Sequence, residues 1–309
     1  MLVLLFACLI ATSFAATCIS KTDIKWEAYN NQIYLNGEQF NMKGLSWFGF
    51  ETTNYNLYGL DKHDMDWYFD WMLDNGFNTI RMPFSSDYLN ERNGWDTYIA
   101  AVMAAGEKGI FIMADMHSKT PGAWTDGLDT INQATEVTTW KTLASKLVSA
   151  GAWNVMLVDV FNEPHDVSNS EWGDWLGFCE DVAEAVWDAG LDSLIAVEGT
   201  NSDCSPVSDI SCCWGENLIG VETTGKTFSA SQGNKLVWSP HVYYGDVTGN
   251  WAYSDQAWEE HWGYLVDDTD APIMIGEFGT KSELTWLGDL IDYLGSINQR
   301  NHFFWCLNP

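Results

Sequence analysis

Apolar and polar positions along the chain follow two different periods. Met65, Tyr68, Phe69 and Met72 fall at i, i+3, i+4 and i+7, and Trp140, Leu143, Ala144, Leu147 and Val148 repeat that spacing. Both stretches predict amphipathic helices that turn one face to a core. Between the helical stretches lie short, nearly continuous apolar runs: Phe77–Met82, Ile110–Met116, Val155–Phe161, Leu194–Val197, Leu236–Trp238, Ile273–Ile275 and Phe303–Trp305. Short runs without polar alternation are strands covered on both faces, as in a parallel sheet flanked by helices. Gly76, Gly109, Gly151 and Gly190 each close a helical stretch and precede a strand, the position where a helix ends in the left-handed conformation. A further strand near Phe40–Ser46 brings the expected number to eight, and eight such units argue for a closed (β/α)₈ barrel over an open sheet. A hairpin around Trp26–Phe40 is expected to plug the bottom of the barrel. The chain stops at Pro309, just after the eighth strand, so the helix that would cover that strand reads as missing and the domain as truncated.

The length of 309 residues suits one such barrel, which takes about 250 residues, and no linker or low-complexity tract divides it. The apolar run Leu2–Ile10 followed by Ser13-Phe14-Ala15 reads as a signal peptide cut after Ala15, leaving residues 16–309 as one exported catalytic domain. No run is long enough to span a bilayer. Once Cys8 leaves with the leader, Cys18, Cys179, Cys204, Cys212, Cys213 and Cys306 remain, an even number that suggests disulfides, with the close group 204, 212 and 213 supplying at least one loop staple. Acidic residues outnumber basic ones 43 to 14, for a net charge of −29, which excludes nucleic acid and anionic membranes as partners. Some of the 18 tryptophans are expected in the core, and that many also fit a site that stacks flat apolar faces such as sugar rings present.

Candidate chemistry gathers where a barrel carries it, at the C-terminal strand ends. The second strand ends at Arg81, the third at His117, the fourth at Asn162-Glu163-Pro164, the sixth at His241-Val242-Tyr243, the seventh at Glu277 and the eighth at Trp305. Any one of these could be structural, but six polar or aromatic ends on one rim are hard to explain by packing. Glu163 and Glu277 both follow apolar runs, and burying a carboxylate is costly unless it is paired. Two carboxylates across one barrel mouth are what glycoside hydrolysis requires. Asp115 and Asp159 precede His117 and Glu163 by an even number of residues; each either orients its neighbour or pairs inside the barrel.

Several stretches together resemble the cellulase branch of glycoside hydrolase family 5. They are the run from Lys43 to Thr52, Asn78-Thr79-Ile80-Arg81-Met82-Pro83-Phe84, Asn162-Glu163-Pro164-His165, Trp214-Gly215-Glu216-Asn217-Leu218, and Gly276-Glu277-Phe278-Gly279-Thr280. The resemblance implies Glu163 as general acid/base and Glu277 as nucleophile, about 5–5.5 Å apart in the retaining arrangement. It implies that Arg81 keeps Glu277 ionised, that Tyr243 also donates to it, and that Asn162 bonds the sugar 2-hydroxyl. His117 and His241 would shape the cleaving subsite, Trp305 would be its stacking floor, and Trp47 and Trp214 further platforms. No metal or cofactor is implied. The partner is a β-glucan, met by a secreted monomer that binds neither nucleic acid nor membrane. At the third strand the branch often has Asp-Arg-His where this chain has Asp115-Met116-His117, and no loop cysteine follows that histidine before Cys179, so the branch's disulfide pairing does not carry over.

Three other readings compete. β-Mannan or β-1,3-glucan could be the substrate of the same barrel. Asp115, His117, His241 and Glu277 could hold a cation, although no His-x-His ends the first strand. A non-catalytic sugar-binding barrel would usually have lost one of the two glutamates.

Overall fold

The computed structural model describes residues 24–308 apart from 124, 166, 202–211, 213 and 249–253. The leader read in residues 1–15 lies outside the described residues, as do Cys18, Cys204 and Cys213. Cys179 and Cys306 are free thiols, so neither joins the disulfide framework that the even count suggested. Cys212 is disulfide-bonded.

Twelve strands occur among the described residues: β1 (Trp26–Tyr29), β2 (Gln32–Leu35), β3 (Glu38–Gln39), β4 (Lys43–Ser46), β5 (Thr79–Ser85), β6 (Phe111–Ser118), β7 (Val155–Asp159), β8 (Leu194–Val197), β9 (Leu236–Trp238), β10 (His241–Tyr243), β11 (Met274–Gly279) and β12 (Asn301–Phe304). The last nine form one parallel sheet in the order β10-β11-β12-β4-β5-β6-β7-β8-β9. Its two terminal strands are consecutive in the chain and separated only by Ser239-Pro240. They are two halves of one barrel strand, so the sheet closes with eight strand positions. Proline has no N–H to give to the ladder and splits the strand. The Pro240 carbonyl still accepts from Gly276 N at 3.1 Å, and Trp238 pairs with Ile273 to seal the seam.

Long helices cover the barrel at Met65–Asp74, Trp95–Lys108, Gln133–Ala150, Trp172–Asp188 and Leu284–Ser296. Their apolar stripes face inward as the periodicity requires: Tyr68, Phe69 and Met72 on the first, Trp140, Leu143, Ala144 and Leu147 on the third. Gly109 and Gly151 end two of these helices at φ 81° and 77°, where a side chain would be strained. Between β8 and β11 the described helices are short.

The N-terminal hairpin gains a third strand, β3, and closes the barrel floor. Trp26 is fully buried, edge-on to Phe40 at 5.2 Å and to Phe111 at 5.0 Å. With Ile33, Leu35 and Met42 it packs on the inward side chains at the N-terminal ends of the strands, among them Met156, Met274 and Phe303. The floor is mainly apolar, and the charged side chains of the barrel interior gather at its other end.

Candidate active site

Register brings the acidic and basic strand ends together. Asp115 of β6 lies beside Asp159 of β7, and His241 of β10 beside Glu277 of β11. Arg81 rises from β5 into the middle of this ring and is completely buried. Its Nε donates to Asp159 Oδ2 at 2.9 Å and its Nη2 to Asn162 Oδ1 at 2.7 Å. Nη2 also lies 3.1 Å from Asp115 Oδ2, while Nη1 donates to Glu277 Oε1. Burial disfavours the guanidinium charge, but the surrounding carboxylates outweigh it and push the pKa of Arg81 further up.

Glu277 is 4% exposed. Its second oxygen accepts from the Tyr243 hydroxyl at 2.6 Å. Burial alone would raise its pKa; Arg81, then His241, His117 and Tyr243, overcome that and hold the carboxyl below its ordinary value of 4.5. Glu163 follows β7 in a left-handed backbone conformation, φ 47°. Its carboxyl is partly open, with Oε1 3.1 Å from His241 Nδ1. One oxygen of Glu163, one of Glu277 and a nitrogen of His241 all lie within 4.8 Å of one another. An ionised, anchored carboxylate facing a freer one at this range can attack a carbon while the other protonates the atom that leaves.

The remaining residues form the walls. Asp115, left open between two roles by the sequence, fills both: it pairs with Arg81 and meets His117 Nδ1 at 2.7 Å. Burial works against the charge of His117, yet Asp115 lifts its pKa to about 9. The His117 ring lies parallel to Trp305 at 5.4 Å, and Trp305 parallel to Phe48 at 6.0 Å. Trp214 stacks on His165 at 4.2 Å and 9°.

Trp47 is a correction. It is 0% exposed, packs on Tyr68 and Phe69, and donates Nε1 to the Tyr58 carbonyl at 2.9 Å. It is core under the rim, because at the end of β4 its side chain points out of the barrel toward the Met65–Asp74 helix. Trp47→Phe is therefore expected to lower stability by about 2 kcal/mol, through lost volume and an orphaned carbonyl, and to leave KM for substrate unchanged. Thermal melts and initial rates check this; a KM raised severalfold with an unchanged melt would restore a contact role.

Glu198 was missed. It follows the apolar run Leu194–Val197 and is fully buried, accepting the Glu163 N–H at 2.7 Å and lying 3.1 Å from His241 Nε2 and 3.5 Å from Arg81 Nη2. The signal was the one that marked Glu277, a carboxylate directly after an apolar run. Ligand atoms of Asp159, Glu198 and His241 also converge within 4.8 Å. That donor set fits a divalent cation poorly, since the Arg81 guanidinium already sits against two of its three members.

The chain is similar to known proteins both in sequence and in fold. The family model for Cellulase (glycosyl hydrolase family 5) matches residues 35–309. An endoglucanase of Paenibacillus polymyxa is 28% identical over 88% of this chain and 77% of its own length. The major extracellular endoglucanase of Xanthomonas campestris pv. campestris is 30% identical over 88% of this chain and 63% of its own. Among solved structures, a hyperthermophilic endocellulase from the archaeon Pyrococcus horikoshii superposes with a TM-score of 0.78 at 26% identity, covering 94% of this chain and 92% of that one.

Proposed function

The chain belongs to glycosyl hydrolase family 5, and on that premise we propose that it cleaves internal β-1,4-glucosidic bonds of cellulose or a related β-glucan with retention of anomeric configuration. The observation that carries the stereochemical part is the approach of the Glu163 and Glu277 carboxyl oxygens to within 4.8 Å. Retaining enzymes hold their carboxyl groups roughly 5–5.5 Å apart, inverting ones roughly 6.5–9.5 Å.

In the first step Glu277 attacks the anomeric carbon, the bond to the leaving sugar oxygen breaks, and the proton of Glu163 goes to that oxygen. Arg81 and Tyr243 keep Glu277 ionised and aimed. In the second step Glu163, now a carboxylate, takes a proton from water as the water oxygen attacks the same carbon. The ester to Glu277 breaks, and both carboxyl groups return to their starting states. Asn162 spends its carbonyl oxygen on Arg81, which leaves its amide N–H free to donate to the sugar 2-hydroxyl. Trp305, backed by Phe48 and aligned with His117, is the floor for the sugar being cleaved, and Trp214 a platform further along. His241 shapes the cleaving subsite between the two glutamates.

Among the described residues no helix is long and apolar enough to cross a membrane. Export through the leader at residues 1–15, action as a monomer, and a single catalytic domain from residue 16 belong to the same reading. It is tested on carboxymethyl cellulose, with β-mannan and a β-1,3-glucan in parallel. A viscosity that collapses well before reducing ends accumulate is expected on the cellulose derivative alone. Cleavage confined to mannan or to the β-1,3-glucan would keep the two glutamates and overturn the substrate.

A further inference from the structure

We propose that Glu198 is a positioning residue for proton transfer, clamping Glu163 by two routes at once: its backbone N–H directly, and its carboxyl group through His241. The inference rests on the reading of Glu163 as the acid/base.

Glu198 follows β8 and has no exposed surface. A buried carboxylate is costly without partners, and both of its oxygens have them. Oε2 accepts the Glu163 N–H at 2.7 Å. Oε1 faces His241 Nε2 at 3.1 Å, an ion-pair contact off the line of the N–H, and Arg81 Nη2 more distantly at 3.5 Å. The other nitrogen of the same imidazole, Nδ1, lies 3.1 Å from Glu163 Oε1. The ring is thus a spacer of fixed length between two carboxyl groups, with Glu198 behind it and Glu163 in front.

Two surrounding features hold Glu198 itself. Its carbonyl accepts from Trp175 Nε1 at 3.0 Å, tying the residue to the Trp172–Asp188 helix. Gly215 passes so close that a Cβ there would come within 2.8 Å of Oε2, so only a glycine leaves the carboxylate its place.

The need for a clamp comes from Glu163. At φ 47° a residue with a side chain is in a sparsely occupied backbone region, and such a conformation persists only where its surroundings impose it. The Glu163 N–H, turned to the barrel interior by that conformation, finds its acceptor in Glu198. Glu277 takes its hydrogen bonds from other groups, Arg81 and Tyr243, with His241 Nδ1 more distant at 3.8 Å. Loosening Glu198 should therefore disturb the proton donor more than the nucleophile.

Glu198→Gln tests this at nearly constant shape. The carboxylate sets one acceptor oxygen on the Glu163 N–H and the other, charged, 3.1 Å from His241 Nε2. A carboxamide offers one acceptor oxygen, so either orientation of the amide breaks one clamp. The expected signature is selective. On cellotetraose, whose leaving sugar must be protonated, kcat/KM should fall roughly tenfold or more, since a positioned acid contributes about 10²–10⁴-fold. On 2,4-dinitrophenyl cellobioside, whose leaving group needs no proton, kcat/KM should stay within about threefold. On that aryl substrate kcat should drop and a burst of dinitrophenol appear, because Glu163 must still activate water in the second step.

Equal losses on both substrates would mean a general disturbance of the site and would overturn the inference, as would no loss on either. An unmodified protein that cleaves neither substrate would sink the glycosidase reading and this inference with it. If the variant does not fold, nitrogen-15 spectra of the six histidines in the unmodified chain decide the matter. His241 Nε2 is expected to carry a proton, and an unprotonated Nε2 would abolish the second route.

Discussion

Glu277→Ala is expected to lower kcat on carboxymethyl cellulose on the order of 10⁴-fold, the largest effect of any single substitution here. The change removes the atom that bonds to the anomeric carbon, and the remaining apparatus offers no substitute nucleophile. Folding should survive, because Arg81 keeps Asp115 and Asp159 as partners when Glu277 is lost. The vacated space beside Arg81 has the size and charge for a small anion. Azide should accordingly restore turnover of 2,4-dinitrophenyl cellobioside, attacking from the face that Glu277 used and releasing an α-glycosyl azide. The unmodified enzyme should release the β-anomer first. Proton spectra of fresh product distinguish the two. Residual activity within tenfold of the original would mean that the attacking group is elsewhere.

Arg81→Met should cost about 3–5 kcal/mol of stability, because breaking a buried ion pair from one side leaves its partners charged and unsolvated. For a domain of this size the melting temperature should fall on the order of 10 °C. Four carboxylates surround the guanidinium: Asp115, Asp159, Glu198 and Glu277. With the cation present Glu277 is held below 4.5 while burial, outweighing Arg81, already pushes Asp159 up to about 6. Without it each carboxylate prefers its proton in the folded state. The sign follows from linkage. A carboxyl group whose folded pKa is raised binds its proton more tightly folded than unfolded, so its penalty is absent below the unfolded pKa and grows as pH rises from there toward the folded pKa. The deficit of Arg81→Met relative to the parent should thus be largest at neutral pH and narrow toward pH 4. Melting curves across that range check this; a deficit independent of pH would show that Arg81 acts by packing alone.

The fold was largely legible because its signals are local. Leu194–Val197 and Leu236–Trp238 are strands with the ends that their apolar runs predict, and the inward stripe of the Gln133–Ala150 helix follows from spacing, except that Val148, in its last turn, is exposed. The sixth barrel strand shows where local reading stops. The apolar run predicts Leu236–Trp238 as strand and His241–Tyr243 as its polar end, whereas both are strand, joined across Pro240, whose carbonyl accepts from Gly276 N on the neighbouring strand. Trp47 and Trp305 illustrate the same boundary. Both end a strand in an aromatic ring; one packs outward on a helix and the other lies over the site, and the pleat that separates them is not visible in either residue's neighbours.

By itself the sequence determined that apolar strands alternate with amphipathic helices and that Arg81, Glu163 and Glu277 stand at strand ends, since periodicity and sequence position are properties of neighbouring residues. Only the tertiary structure decided which of those ends meet. Closure and register of the barrel place Arg81 among four carboxylates, set an oxygen of Glu163 within 4.8 Å of one of Glu277, and put Glu198 behind them. One carboxylate among 43 acidic residues carries no mark of its own until burial removes its water and leaves it only the partners that the fold supplies.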